Sequence, residues 1–207
     1  MPSSKVGRPK SKEKNEAILN SAQDLFLANG VKQTTMEEVA KHSGVSKQTV
    51  YSHFRSKDDL FSAVIKHKCE EYLITNENLA NGETSLTVAL SNIGAKFVAL
   101  FHDEVVVSVY STMISEARNA PQVAQLFYKT GPLASINALA QVFLELSEKE
   151  LEQKSAYNLA VDFYSFIKGD FHTRSLMRME FRLDAHEREA YVSAVVHKTM
   201  CLLENYY

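Results

Sequence analysis

Five side chains between positions 47 and 53 could bond the base edges and phosphates of DNA, and no acidic residue lies among them. Lysine donates to guanine O6 and N7, glutamine bonds adenine at two atoms, and a threonine methyl contacts the methyl of thymine. We therefore expect Lys47 to meet guanine, Gln48 to meet adenine and Thr49 to meet a thymine methyl. Tyr51 and His53 are expected to hold phosphates.

These side chains must stand on the outside of a short helix, and the sequence TMEEVAKHSGVSKQTVYSHF predicts one. Thr35 and Glu38 have the spacing of a capping box, and Gly44 suits the left-handed end of a first helix. Ser46 could cap a second helix whose Val50 faces inward. Such a helix-turn-helix fits the major groove of DNA, although similar helix pairs also occur in all-α domains that bind no DNA.

Further phosphate ligands are predicted on either side of this pair of helices. Thr34 and Thr35 open the first helix, where hydroxyls and unbonded backbone N–H groups could hold a phosphate. Ser56 could cap the helix that follows, and Lys57 would then stand at its positive end. We expect the Lys57 ammonium to reach a phosphate.

The same stretch, continued through RSKDDL, closely resembles the helix-turn-helix of TetR-family transcriptional regulators of the AcrR-like kind. The resemblance runs from about Lys12 to about Lys68. SEARNAPQVAQLFYKTGP, from Ser115 to Pro132, resembles more loosely the regulatory domain of one subgroup of that family. The residues that occupy the positions of the family pattern are Thr35, Ala40, Gly44, Val45, Ser46, Tyr51, Phe54, Lys57 and Leu60.

Composition indicates an ordinary globular protein. The 207 residues are 45% hydrophobic and 23% charged, with few glycines and prolines and no recurrent strand-turn alternation. No apolar run approaches the ~18 residues that a membrane-spanning helix needs, and the basic, polar N-terminus is not a secretory signal. We expect an all-α protein of the cytoplasm with no membrane partner.

The net charge of −2 conceals two oppositely charged parts. Residues 1–68 carry 12 Lys and Arg against 7 Asp and Glu, whereas residues 69–207 carry 11 against 18. A basic head on an acidic body is typical of a protein that binds a polyanion through its head.

Catalytic and metal-binding patterns are missing from the sequence. No glycine-rich phosphate loop, His-Glu-x-x-His motif or framed nucleophilic serine occurs, and the seven histidines are scattered. Cys69 and Cys201 have no metal or redox spacing, although a redox-sensing pair stays open. We expect no enzyme activity, no metal and no cofactor.

Three parts are predicted along the chain: a flexible basic arm over 1–10, a helix-turn-helix domain over 11–68, and a regulatory and dimerisation domain over 69–207. Arg8 lies in a Gly-Arg-Pro core that resembles the centre of an AT-hook, which enters the minor groove, but a solvated basic tail that attracts phosphates nonspecifically is the favoured interpretation. Nine or more helices are expected, over 11–29, two in 35–54, then 56 to about 82, 84–102, 105–118, 121 to a break at Gly131-Pro132, 132–147, 155–168 and 185–205, with a link over 169–183.

Bulky apolar residues in the middle helices could line a ligand pocket, which the family resemblance implies, or could simply fill the core. The residues expected to line it are Phe97, Phe101, Tyr110, Met113, Ile114, Phe127 and Tyr128.

Apolar stripes on the last two helices would either close the core or, as the family resemblance implies, form a four-helix interface with a second copy. The residues expected there are Ala156, Ala160, Phe163, Ile167, Val192, Val195, Val196, Thr199 and Leu203.

The resemblance implies a homodimer that represses transcription from a near-palindromic operator of double-stranded DNA. A small and apolar inducer would release it by swinging the helix that starts at Lys57, which changes the distance between the two recognition helices. A dimeric DNA-binding regulator without an effector, or one controlled by a protein partner, is the alternative.

Overall fold

The computed structural model describes residues 12–72, 85–179 and 182–206, and within them every regular element is helical. The helices are α1 Lys12–Asn29, α2 Met36–Ser43, α3 Lys47–His53, α4 Lys57–Tyr72, α5 Leu86–His102, α6 Glu104–Glu116, α7 Pro121–Tyr128, a π-helical segment Lys129–Leu133, α8 Ala134–Leu146, α9 Gln153–Leu176 and α10 Ala185–Tyr206. The all-α expectation is confirmed. The predicted basic arm and the predicted end of α4 near Gly82 lie outside the described residues.

Two compact units divide the chain, Met1–His67 and Lys68–Tyr207. In the first unit the apolar positions of α1 that recur at helical spacing are buried, as are Val39 of α2 and Val50 of α3. Phe26 and Phe61 meet edge to face with their ring centroids 5.6 Å apart. This small core of α1, α2, α3 and the start of α4 sets the orientation of α3.

In the second unit α5 contacts α6, α8, α9 and α10. It is apolar over most of its circumference, and Leu90, Phe97 and Phe101 are at most 2% exposed. A helix that is apolar all round is stable in water only when other helices cover it. No single described helix is long and apolar enough to cross a bilayer, and α5 with α6 reach that length and composition only as a pair bent by 68°.

The predicted break at Gly131-Pro132 is wrong. The chain passes from α7 to α8 through the π-helical segment with helical backbone angles on both sides, and Gly131 and Pro132 are both buried. Proline cannot donate to the carbonyl four residues earlier and its ring crowds that position, so the wider π turn lets the helix continue past it.

The predicted link after Lys168 is also partly wrong, because α9 runs on to Leu176. The helix bends at Gly169, whose backbone angles of φ 48° and ψ −162° are accessible almost only to glycine. The hydroxyl of Tyr191 on α10 fills the bend and donates to the Phe166 carbonyl at 2.6 Å. Glycine thus marks a kink here and not the end of a helix.

We expect Gly169→Ala to lower the free energy of unfolding by about 2–5 kcal/mol, because it adds backbone strain and an overlap with the Tyr191 hydroxyl. Urea unfolding of the second unit measures the loss. The double variant Gly169→Ala/Tyr191→Phe removes the overlap but keeps the strain, and should recover part of the stability. If Gly169→Ala unfolds like the original chain, the bend carries no strain.

Candidate nucleic-acid interface and ligand pocket

Side-chain caps hold the two helices of the helix-turn-helix in place. Thr35 Oγ1 accepts from the Glu38 N–H at 3.2 Å, and the Thr35 N–H donates to Glu38 Oε2 at 2.8 Å, which completes the predicted capping box. The Thr35 N–H and the Thr35 hydroxyl both donate to Glu38 Oε2, and these two hydrogen bonds lower the pKa of the exposed Glu38 carboxyl. Gly44 has φ 69°, and Ser46 caps α3 by accepting from the Thr49 N–H at 3.1 Å.

One side chain of α3 points into the core and the others surround the outer face. Val50 is fully buried, while Lys47, Gln48 and Tyr51 are exposed. Thr49, partly buried, shares a hydrogen bond with Ser46 Oγ at 2.8 Å. His53 is partly buried beside the Phe54 ring. The structure therefore brings the five predicted DNA ligands of α3 to one small surface.

An acidic partner of this surface was not predicted. The Lys47 ammonium forms an ion pair with Glu37 of α2 and lies 5.8 Å from the centre of the Tyr51 ring. The hydrogen bond between the two raises the pKa of Lys47 and lowers that of Glu37. Both groups are exposed, so the pair is weak, and a phosphate or a base could displace Glu37 at little cost.

Thr34 is not a DNA ligand, contrary to the prediction. It is fully buried, and its hydroxyl donates to the carbonyls of Gly30 at 2.9 Å and Leu25 at 3.2 Å. Its own N–H also bonds Gly30 O. The residue satisfies carbonyls at the C-terminal end of α1, where a helix leaves such groups unbonded. Nothing in the sequence distinguishes Thr34 from Thr35, so it could not be predicted which of the two faces inward.

The Lys57 ammonium has a structural role that was also unforeseen. It donates to the carbonyl of Lys32 at 2.8 Å and to that of Thr34 at 2.9 Å, and so holds the turn between α1 and α2. An ammonium has three donors, so one stays available for the predicted phosphate. Arg55, exposed between α3 and α4, is a further basic residue next to this surface.

A pocket of about 640 Å³ lies in the second unit between α6, α7, α8 and α9. Five predicted residues line it: Tyr110, Met113, Ile114, Phe127 and Tyr128. Phe97 and Phe101 do not, and their assignment to the pocket is wrong. They are fully packed in the core against Tyr164, because they lie on the side of α5 that the other helices cover.

Polar groups converge on one wall of this pocket. The hydroxyls of Tyr110 and Tyr164 lie 3.1 Å apart. The Lys168 ammonium lies 4.9 Å and 5.0 Å from the centres of those two rings, and 5.6 Å from that of Phe101. His172 is 4% exposed, and neither ring nitrogen has a hydrogen-bond partner.

Burial disfavours the charged form of each of these groups and shifts its pKa accordingly. Burial first and the Lys168 charge second lower the pKa of His172 to about 4, so the imidazole is neutral near pH 7. Burial also lowers the pKa of Lys168 and raises that of Tyr110 to about 12. Sequence reasoning missed Lys168 and His172, because the one ended a predicted helix and the other fell in a predicted link.

A second cavity of about 530 Å³ opens near the start of α6 and the end of α9. His102, Glu104, Arg178 and Arg182 contribute polar groups to it. Arg182 already forms an ion pair with Glu104. Two of its charged groups thus neutralise each other, whereas no ion pair involves Lys168 of the first pocket among the described residues. No cluster of metal-ligating side chains occurs among the described residues.

The residues predicted at a dimer interface lie in the core of the chain itself, and that assignment is wrong. Each is at most 5% exposed: Ala156, Ala160, Phe163, Ile167, Val192, Val195, Val196, Thr199 and Leu203. Their stripes face α5 and each other, so a second copy would have no access to them. On the opposite side of α10, Ala190, Ala194 and His197 are exposed at helical spacing.

Known proteins resemble both units. The family model of bacterial regulatory proteins of the tetR family matches residues 18–64, and that of the AefR-like transcriptional repressor C-terminal domain matches residues 88–202. The repressor BepR of Brucella suis is 43% identical over 53 residues, which are 26% of this chain and 25% of BepR. The chain spans a quarter to about half of the length of the curated relatives it matches.

Solved structures share the fold over nearly the full length. A TetR regulator from Agrobacterium tumefaciens has a TM-score of 0.69 with 20% identity, covering 93% of this chain and 94% of its own. The flavonoid-responsive regulator FrrA has a TM-score of 0.67 with 27% identity, covering 92% and 97%. With one family model over the helix-turn-helix and another over more than half of the chain, the protein belongs to the TetR family of bacterial transcriptional regulators.

Proposed function

We propose that this protein is a dimeric repressor that binds a near-palindromic operator through α3. A small molecule that enters the pocket of about 640 Å³, lined mainly by α6 and α9, would release it from the operator. The observation that carries the proposal is the outer face of α3, where exposed polar side chains surround a single buried valine. Relatives named as repressors, including BepR and the AefR-like model, support the repressing role.

On the operator, two copies of α3 related by a two-fold axis would enter successive major grooves about 34 Å apart or somewhat more. Lys47 is assigned to guanine, Gln48 to adenine and Thr49 to a thymine methyl. The phosphate ligands that remain after the loss of Thr34 are Thr35, Tyr51, His53 and Lys57. In the unbound chain Glu37 holds the Lys47 ammonium, and DNA would take its place.

The dimer would form through the outward side of α9 and α10. Ala190, Ala194 and His197 on α10 are small or polar and exposed, so two copies of this helix could approach closely. Family membership supports this location, since the stripes on the other side of both helices are already buried.

Control by a ligand would act through α6. This helix supplies Tyr110, Met113 and Ile114 to the pocket, and Asp103 caps its first turn by accepting from two N–H groups. Asp103 also pairs at 3.0 Å with Lys68 of α4, and both side chains are at most 20% exposed. A ligand that shifts α6 would thus also shift α4, the helix that follows α3 in the chain. Coupling of about 1–3 kcal/mol, or 5- to 150-fold in affinity, is typical of such linkage.

Selection from randomised duplex DNA tests the operator. We expect an enriched inverted repeat, bound by one dimer, with an affinity that falls linearly with the logarithm of salt concentration. A scrambled duplex of the same composition is the control. Sequences without two-fold symmetry, or equal affinity for the scrambled duplex, would rule out the proposed binding mode. A regulator without an effector would keep its operator affinity whatever fills the pocket.

Two variants should separate base reading from phosphate binding. Gln48→Ala should cost about 1–3 kcal/mol on the operator and relax one base position in each half-site. Lys57→Ala should weaken binding to all sequences and lower the salt slope by about 1. It should also lower the free energy of unfolding, because the carbonyls of Lys32 and Thr34 lose their donor. An unchanged salt slope would remove Lys57 from the phosphate ligands.

The dimer surface is tested with Ala194→Arg, which places a long charged side chain in the proposed contact between two copies of α10. We expect a monomer by light scattering and a loss of operator affinity of at least 10-fold, because one head binds half a site. Thr87→Arg, on the exposed side of α5, is the matched control and should stay dimeric. A dimeric Ala194→Arg protein would place the interface elsewhere.

A further inference from the structure

We propose that the pocket between α6 and α9 binds an aromatic or apolar molecule with one acidic group, a carboxylate or a phenolate, which the Lys168 ammonium holds. The inference rests on the proposed function, in which this pocket is the effector site. It adds the chemical class of the effector, which follows from the side chains that line the pocket.

The first observation is the position of Lys168. Its ammonium stands over the faces of Phe101, Tyr110 and Tyr164, at 4.9–5.6 Å from the ring centres. Among the described residues no carboxylate or other acceptor lies within bonding distance of it. A partly buried ammonium without a counter-charge is unfavourable, as the lowered pKa reflects. An acidic ligand would supply the missing charge.

The second observation is a set of hydrogen-bonding groups beside this ammonium that the protein leaves unused. His172 is nearly fully buried and neither ring nitrogen forms a hydrogen bond of good geometry, although the backbone of Phe101 lies close enough to oppose the fall in its pKa. A neutral imidazole carries one N–H donor. The hydroxyls of Tyr110 and Tyr164 bond each other, which uses one of their two hydrogens and leaves the other to donate. An acid with two oxygens could therefore accept from Lys168 and from one of these neighbours.

Most of the remaining lining of the pocket is apolar. Met113, Ile114, Phe127, Ile136 and Leu176 line it. A cavity near 640 Å³ lies in the range that holds a drug-sized molecule. Flat rings suit this lining, because aromatic faces and the methionine sulfur make favourable contacts with them. The site thus combines one charged end with a broad apolar body.

Other ligand charges fit this arrangement less well. A cationic ligand would meet the ammonium of Lys168, which already occupies the ring faces that attract cations. A neutral apolar ligand would exclude water from Lys168 and His172 while giving neither a partner. A neutral carbonyl could accept a hydrogen bond from Lys168, but only an acid also neutralises its charge, so the site favours acids.

Isothermal titration of the full chain at neutral pH tests the ligand class. The probes are naphthoate, its neutral analogue naphthamide and the cation naphthylmethylamine, with the carboxylate and carboxamide of biphenyl as a second scaffold. We expect each acid to bind about 10- to 100-fold more tightly than its amide. Lys168→Gln should abolish that difference, and Lys168→Arg should keep most of it. Lys154→Gln, an exposed lysine at the start of α9, is the matched control.

Melting curves of the unliganded variants show whether each one is folded, so a loss of binding can be assigned to the charge. Equal affinity for acid and amide, tighter binding of the amine, a preference that survives Lys168→Gln, or no binding of either acid would each overturn the ligand class. Operator affinity in the presence of naphthoate is measured separately. If an acid binds through Lys168 but leaves operator affinity unchanged, the ligand class stands and release by the ligand is wrong.

Discussion

A seven-residue helix is too short to be stable in water, so the presentation of α3 depends on groups outside it. Ser46 caps its start, and Val50 anchors it to the small core of the first unit. Val50 is the one fully buried side chain of α3, so most of the other side chains lie on its outer face. The seven residues of α3 can therefore contribute one side chain to the core and still present several polar side chains on the outer face.

In the second unit the dominant constraint is the apolar α5, which the other helices must surround. The apolar stripes of α9 and α10 pack against α5, so they are buried and cannot form an interface with a second copy. The bend at Gly169 places Lys168 and His172, which lie on either side of it, in the wall of the pocket. A straight helix would have carried these two side chains along a different path.

Local signals were strong enough to predict the helix-turn-helix from sequence. Thr35, Glu38, Gly44 and Ser46 act through neighbours within four residues, and the structure shows the predicted caps. Periodicity predicted which faces of α9 and α10 are buried, but it could not tell an internal core from an interface. The distinction depends on contacts with α5 that are distant in sequence.

The other misses have similar physical causes. Proline and glycine were expected to end helices, yet the π-helical segment and the bend at Gly169 let the chain continue. The roles of Lys168 and His172 could not be predicted, because a single polar residue within a helix has no recognisable sequence pattern. Their importance comes from partners that are missing, and a missing partner is visible only when the surrounding residues are placed in space.

Under the proposed phosphate contact of Lys57, its bonds to two backbone carbonyls limit how this protein can change its affinity for DNA over evolution or by design. Removing the charge at this position also loosens the turn in front of α2, so tuning of affinity and maintenance of the fold are not separable there. The exposed residues Lys47 and Gln48 have no such duty to the backbone. Under the proposed operator contacts, single changes in α3 could therefore alter base preference, whereas a change at Lys57 would also disturb the fold.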